Sequence, residues 1–196
     1  MIYSSNSDMK RGLDTMIIVY SLLDDHPAST VCEQFIRTQT GWFTTTLTLF
    51  EVKAVLTKIY AVETILVTRK IELFAPGPIA VVEIDLSTAI ASMKLADAFR
   101  IDMTDAVFLH TSQTIGASEL ATDDNLLAQV CKQIGITPET PIDSELRKHL
   151  AKWEDENLPM KGLPRILRNI HHWLSQNDLR IAQDFWSQTG GGSHLP

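Results

Sequence analysis

The chain has 196 residues, enough for one domain of ordinary size with an appendage and a real hydrophobic core. Apolar residues make up 44% and charged residues 21%, which argues against a disordered or fibrous protein. Seventeen basic against twenty-four acidic residues give a net charge of −7, which argues against extensive electrostatic wrapping of nucleic acid.

The sequence also argues against membrane, disulfide and zinc proteins. No apolar run approaches the roughly 20 residues that cross a bilayer, and the N-terminal MIYSSNSDMKRG lacks the apolar run of a signal peptide. Cys32 and Cys131 are the only cysteines, without Cys or His partners at ligand spacing. We therefore expect a cytoplasmic protein with two reduced, buried thiols.

The first part of the chain alternates helical and extended patterns. Its predicted elements are a helix over 17–23, a helix from Pro27 to residue 38, a short strand at 42–45, a helix over 46–60 and a helix over 62–74. The helix over 46–60 rests on the spacing of Val52, Val55, Leu56 and Ile59, which places four apolar side chains on one face.

The same alternation continues after Pro76-Gly77-Pro78, which ends the preceding helix. The predicted elements are a central strand at 79–84, helices over 87–99 and 104–115, a short strand near 120–121 and a helix over 124–134. Strands separated by helices predict an α/β sandwich: a central parallel sheet with helices on both faces. Functional residues of such folds gather beyond the carboxyl ends of the strands.

The character of the sequence changes near residue 138, where strand patterns stop. We predict a domain over 1–137, a helical C-terminal extension over 138–189 and a flexible tail over 190–196, which is rich in glycine. The extension is predicted to hold helices over 142–153 and 163–188, separated by Pro159, Gly162 and Pro164.

Several aspartates stand where a strand or loop passes into a helix. Asp14, Asp105 and Asp124 do so, and Asp102 and Asp123 lie beside them. Aspartate is a favoured helix N-cap, so each residue taken alone fits a cap better than a catalyst.

Glu51 lies inside a predicted helix, where capping does not apply. A solvated glutamate on the flank of the helix is the alternative interpretation.

The local contexts of these acids are more specific than any single residue. The segments LDTMIIVY (13–20), TLTLFEVKAVL (46–56), MTDAVFLHTS (103–112) and ELATDDNLL (119–127) resemble, in order and spacing, the four signature segments of the PIN-domain family. The resemblance is closest to VapC-like toxins of bacterial toxin–antitoxin pairs and spans about residues 12–135. It implies a PIN-like three-layer α/β/α sandwich over 1–137 and metal-dependent ribonuclease activity.

The resemblance assigns the site residues position by position. The four acids are Asp14, Glu51, Asp105 and Asp124. Asp14, Asp105 and Asp124 are the implied ligands of Mg²⁺ or Mn²⁺, because hard oxygen donors suit these ions. Residues expected to support them are Thr15, Asp102, Thr122 and Asp123.

Two departures from the family pattern surround Asp14. The family commonly reads Asp-Thr-Asn, where this chain has Asp14-Thr15-Met16. The preceding segment DMKRG is more polar than the usual first strand, which predicts a short strand.

Other enzyme classes fit the sequence less well. A phosphatase with an aspartyl nucleophile needs a second Asp where Met16 stands, a receiver domain needs a central phospho-acceptor and a lysine, and no nucleophile elbow is present. The open alternative is a PIN-like module that binds RNA or protein without cleaving, which Met16 and the C-terminal extension favour.

The C-terminal extension carries a basic helix face with Arg165 and Arg168 opposite an apolar stripe that includes Trp173. Packing of the stripe explains this pattern more simply than an RNA or partner contact through the arginines. Adjacent His171 and His172 point in different directions on a helix, which argues against a metal pair. The family resemblance implies an RNA substrate, an antitoxin partner and a homodimer.

Overall fold

The computed structural model describes residues 10–74, 77–158 and 165–189, without the side chains of Asp155, Arg165, Ile166, Arg168 and Asn169. The predicted contact residues Arg165 and Arg168, and the predicted tail at 190–196, therefore lie outside the described residues. The chain forms two compact units, Met1–Arg147 and Lys148–Pro196.

A parallel sheet of five strands, in the order β3-β2-β1-β4-β5, forms the centre of the first unit within the described residues. The strands are β1 Arg11–Leu13, β2 Trp42–Thr45, β3 Ala80–Val82, β4 Glu119–Ala121 and β5 Thr137–Glu139. β1 pairs with β2 on one side and with β4 on the other, with Arg11 opposite Trp42 and Glu119. The short first strand agrees with the polar segment that precedes Asp14.

Helices flank this sheet, which confirms the predicted three-layer α/β/α fold with extra C-terminal helices. They are α1 Thr15–Leu22, α2 Ser29–Thr38, α3 Thr46–Lys58, α4 Thr64–Phe74, α5 Leu86–Phe99, α6 Met103–Ile115, α7 Asn125–Gln133, α8 Ser144–Asn157, α9 Arg165–Asn177 and α10 Leu179–Gln188. None of the helices in the described parts of the chain has the length and hydrophobicity of a membrane span.

Close packing of β1 against β2 and α6 fixes the position of the chain that leads into Asp14. Leu13 and Ile17 are completely buried. At Gly12 an added Cβ atom would lie 2.9 Å from Cζ of Phe108 and 3.2 Å from Cζ of Phe43. Glycine is required here because the two aromatic rings occupy the space that a side chain would need.

Two strands differ from the sequence predictions. Residues 79–84 were expected to form a central strand, but β3 lies at the edge of the sheet, with side chains of intermediate burial. β-branched residues suit an edge strand as well as a central one, so composition alone does not fix the order. β5 was not predicted, because Pro138 argues against a strand; at an edge, the missing N–H of proline costs no sheet hydrogen bond. The boundary predicted near residue 138 stays a prediction.

The segment predicted as helical over 163–188 contains two helices within its described residues. α9 and α10 are separate, and Asp178 between them accepts hydrogen bonds from the backbone N–H groups of Arg180 and Ile181. This N-cap starts a new helix at a position where the sequence has neither glycine nor proline. Within α9, His171 packs 5.1 Å from the Trp186 ring of α10, whereas His172 contacts Gln176.

Candidate active site

The order in which the chain adds strands to the sheet changes side between β1 and β4. The chain adds β2 and β3 on one side of β1 and then places β4 and β5 on the other side. Ligands of open parallel sheets bind beyond the carboxyl ends of the strands at such a switch point. Asp14 follows β1 there, and its backbone N–H donates to the carbonyl of Ala121, the last residue of β4, at 3.0 Å. The fold therefore brings Asp14 beside the segment that contains Asp124.

Asp14 is a helix cap and also a buried carboxylate, with only 8% of its surface exposed. Its Oδ1 accepts a hydrogen bond from the Thr15 backbone N–H at 2.6 Å, and its Oδ2 accepts one from the Thr122 hydroxyl at 2.6 Å. Burial raises the pKa of Asp14 to about 6 in spite of these hydrogen bonds, which lower it. The charges of Glu51 and Asp124 raise this pKa further.

Glu51 is half-buried in α3 and is held by hydroxyl groups from two other helices. The Thr15 hydroxyl of α1 donates to Glu51 Oε2 at 2.6 Å, and the Thr104 hydroxyl of α6 reaches Oε1 at 3.4 Å. The glutamate therefore faces the same region as Asp14. A solvated flank residue would not be fixed in this way.

Asp105 lies half-buried in the first turn of α6. Burial is the largest cause that raises the pKa of this carboxyl group, to about 7. The other causes are the negative charges of Asp14, Asp124, Glu51 and Asp102, in decreasing order. The other three predicted acids therefore lie within electrostatic reach of Asp105, and Asp102 adds charge from its exposed position before α6.

Asp124 is the exposed member of the group and caps α7 through a hydrogen bond from the Leu127 backbone N–H to Oδ1 at 2.8 Å. Its own backbone N–H donates to the Thr122 hydroxyl at 3.0 Å, and that hydroxyl donates to Asp14. A hydrogen-bonded chain thus runs from Glu51 through the two threonines and Asp14 to Asp124. This chain orders groups from two separate helix starts, those of α1 and α7, and from the body of α3.

The Asp123 side chain does not join the group of four acids but pairs with an arginine. Its side chain is only 10% exposed and forms an ion pair with Arg147 of α8, whose side chain is 44% exposed. Burial raises the pKa of Asp123, Arg147 lowers it, and the charge of Asp124 raises it again. The Asp123 side chain, expected from the sequence to support the ligands, is thus largely buried beneath Arg147.

Sequence reasoning missed two residues of this region. Thr104 carried a usable signal, because a hydroxyl residue directly precedes Asp105 much as Thr122 comes shortly before Asp124. Arg147 carried none, since 24 positions separate it from Asp123 and nothing in the local pattern links them.

The chemistry of the donor set fits a hard divalent cation, because every candidate ligand is a carboxylate oxygen. Within the described residues, however, no three His, Cys, Asp or Glu side chains are grouped closely enough to hold a metal ion. The carboxylates share one region and must move closer together to surround an ion. Met16 is half-buried directly after Thr15 and offers a thioether in place of a polar group.

Comparisons with known proteins agree with the fold described above. A sequence-family profile described as PIN domain matches residues 13–133, which include all four acids. The crystal structure of VapC20 from Mycobacterium tuberculosis, a toxin that cleaves the sarcin–ricin loop, is similar in fold, with a TM-score of 0.53 and 10% identity over 61% of this chain and 94% of that chain.

A second solved structure is also similar. It is a toxin–antitoxin complex from Klebsiella pneumoniae, with a TM-score of 0.49 and 20% identity over 67% of this chain and 97% of that chain. A comparison with curated proteins finds no match.

Proposed function

Since the chain belongs to the PIN domain family, we propose that it is a metal-dependent endoribonuclease that hydrolyses RNA phosphodiester bonds. One observation supports the proposal: the carboxylates of Asp14, Glu51 and Asp124 come from separate elements and lie within electrostatic reach of Asp105, and the Thr15 and Thr122 hydroxyls bind Glu51 and Asp14. Gathering like charges in a partly buried place works against folding, so stability does not account for the arrangement.

The proposed ligands of the ion, Mg²⁺ or Mn²⁺, are Asp14, Asp105 and Asp124. A bound divalent cation supplies an activated water and neutralises charge on the departing oxygen. Hydroxyl groups position the acids of the site in two ways. Thr122 fixes Asp14 at the floor of the site and also holds the backbone of Asp124, and Thr15 with Thr104 orients Glu51 at the side. We propose that Glu51 positions the attacking water from this side.

The biological role proposed for this activity is that of the toxin in a toxin–antitoxin pair. The resemblance of the four acid-bearing segments to VapC-like toxins supports it. An antitoxin protein, a second copy of the chain and a cytoplasmic RNA substrate belong to the same proposal. Expression of the parent protein should then arrest growth of a bacterial host, and expression of Asp14→Asn should not.

A second candidate function is a PIN-like scaffold that binds RNA or protein without cleaving it. Two observations favour it: Met16 replaces a polar residue beside Asp14, and the described carboxylates are not grouped as a formed metal shell. Both candidates use the same fold, so only activity distinguishes them.

The deciding experiment is RNA cleavage by purified protein in Mg²⁺ or Mn²⁺ and in EDTA. Asp14→Asn should abolish metal-dependent cleavage while the fold is kept. Asp24→Asn is the matched control, because it removes one carboxylate charge from an exposed side chain that pairs with Lys70 beyond the far end of α1. Loss of such a surface pair changes stability little. A parent protein that binds RNA and never cleaves it would establish the scaffold.

A further inference from the structure

Arg147 lies beside the loop that contains Thr122 and Asp124, two residues of the hydrogen-bonded chain in the site. Its Nη2 donates to Oδ1 of Asp123, which stands between Thr122 and Asp124. Asp123 is 10% exposed and Arg147 is 44% exposed, so the buried carboxylate anchors a guanidinium group that faces solvent. The positive charge is thereby held at a fixed place next to the acidic site.

The negative charge of the site makes a nearby positive charge useful for binding RNA. The four acids and Asp102 repel an approaching RNA strand, and the protein as a whole has a net charge of −7. Arg37 and Lys70 form ion pairs elsewhere in the described residues, with Glu33 and Asp24 respectively. Arg147 is the one cation in the described parts of the chain with an ion pair to the 122–124 loop.

The guanidinium keeps the capacity to bind a phosphate while it contacts Asp123. Arginine carries five N–H donors in a planar fork that matches phosphate oxygens, and the ion pair uses one nitrogen. A side chain that is already held in place loses less conformational entropy when it binds a ligand. The ion pair with Asp123 therefore prepares Arg147 for a phosphate rather than removing it from use.

We propose that Arg147 binds a backbone phosphate of the RNA substrate next to the carboxylate site and so positions the strand for cleavage. The inference rests on the proposed ribonuclease function and adds a residue from α8, outside the four acid-bearing segments.

The test measures binding of a single-stranded RNA over a series of salt concentrations, in the cleavage-deficient Asp105→Asn protein. Arg147→Gln should weaken binding about tenfold, as expected for one charge-assisted hydrogen-bonding group. It should also lower the slope of log affinity against log salt by about 0.7, the value for one phosphate contact with a single strand. Arg147→Lys should keep the slope, because it keeps the charge, and bind less tightly, because it lacks the fork.

Arg37→Gln is the matched control, since it removes an exposed, ion-paired arginine from α2, and it should change neither quantity. Equal affinity and equal slope for the Arg147→Gln and Arg37→Gln proteins would overturn the inference. A weaker affinity with an unchanged slope would also overturn it, because that result indicates a purely structural effect on the loop. Cleavage by the parent protein is measured in parallel: absence of metal-dependent cleavage overturns the proposed function, and unchanged binding beside an active parent overturns the Arg147 inference alone.

Discussion

The hydroxyl of Thr122 donates a hydrogen bond of 2.6 Å to the carboxylate of Asp14, although 108 positions separate the two residues. The same hydroxyl accepts the backbone N–H of Asp124 at 3.0 Å. Thr122 is buried, so water does not replace either contact. One hydroxyl group therefore couples the residue that follows β1 to the residue that caps α7.

Replacing Thr122 by valine should destabilise the protein by roughly 1–3 kcal/mol, because a buried carboxylate oxygen and a backbone N–H lose their partner. Urea unfolding measures this change. Thr122→Ser keeps the hydroxyl and should retain most of the stability. If the serine and valine proteins unfold at the same urea concentration, the hydrogen bonds of Thr122 do not stabilise the fold.

Millimolar Mg²⁺ or Mn²⁺ should raise the thermal midpoint of unfolding. A cation bound only by the folded protein stabilises it by about 2.7 kcal/mol at one hundred times its dissociation constant. Asp105→Asn should remove most of this shift, and Asp24→Asn should keep it. A midpoint in the parent protein that is the same in metal and in EDTA would count heavily against a metal site.

The stability of the protein in EDTA should depend on pH through Asp105. Its pKa rises from an ordinary value of 3.8 to about 7 on folding, so the folded chain binds this proton more tightly than the unfolded chain. The resulting stabilisation is complete below about pH 4 and is lost as the pH rises towards 7. The free energy of unfolding of the parent, minus that of Asp105→Asn, should therefore fall across this window.

The titration of His26 changes the stability of the protein in the opposite direction over part of the same pH range. Burial lowers the pKa of His26 to about 4, so protonation of the unfolded chain removes stability as the pH falls below 6.5. Both proteins contain His26, and the subtraction cancels its effect. A difference between the two proteins that is constant from pH 4 to 7 would show that Asp105 is not perturbed.

Much of the fold was predictable because its elements are defined by local patterns. The strand at 42–45 and the helices that begin near Asp14 and Asp124 follow from β-propensity, apolar spacing and N-caps. The family assignment made from the four segments is confirmed by the PIN domain match. Each of these signals is contained within a short segment of the sequence.

The remaining features depend on contacts that a local pattern does not contain. The edge position of β3 results from which strands pair, and the ion pair of Asp123 with Arg147 depends on where α8 runs. Each aspartate taken alone was explained by capping, and Asp14 and Asp124 do cap helices. An aspartate can cap a helix and also belong to a shared site, because these helices begin at the carboxyl ends of the strands, where the site lies.

Gly12→Ala should destabilise the protein by about 1–3 kcal/mol, because the new methyl group would lie 2.9 Å from Cζ of Phe108. Gly12 is in β1, two positions before Asp14, so a shift of the strand should also lower cleavage activity. Phe108→Leu combined with Gly12→Ala should recover part of the loss, since it opens space at the ring position. Urea unfolding of the two single variants and the double variant checks this, and strictly additive losses would contradict a direct clash.

Met16→Asn should increase metal-dependent RNA cleavage. The half-buried Met16 follows Thr15, whose backbone N–H and hydroxyl hold Asp14 and Glu51, and it contributes no strong hydrogen-bonding group there. An asparagine amide adds a donor and an acceptor that can orient a carboxylate or a water during cleavage. One such hydrogen bond, worth about 1 kcal/mol in the transition state, would raise kcat/KM roughly fivefold.

Met16→Leu is the control for this gain, because it keeps an apolar side chain of similar volume and should leave cleavage unchanged. Met16→Asn should also lower stability slightly, since it removes apolar surface from a half-buried position. The opposite signs matter: a gain in activity with a loss of stability cannot arise from better folding. If the asparagine and leucine proteins cleave RNA at the same rate, the residue after Thr15 does not limit catalysis, and Met16 no longer supports the scaffold alternative.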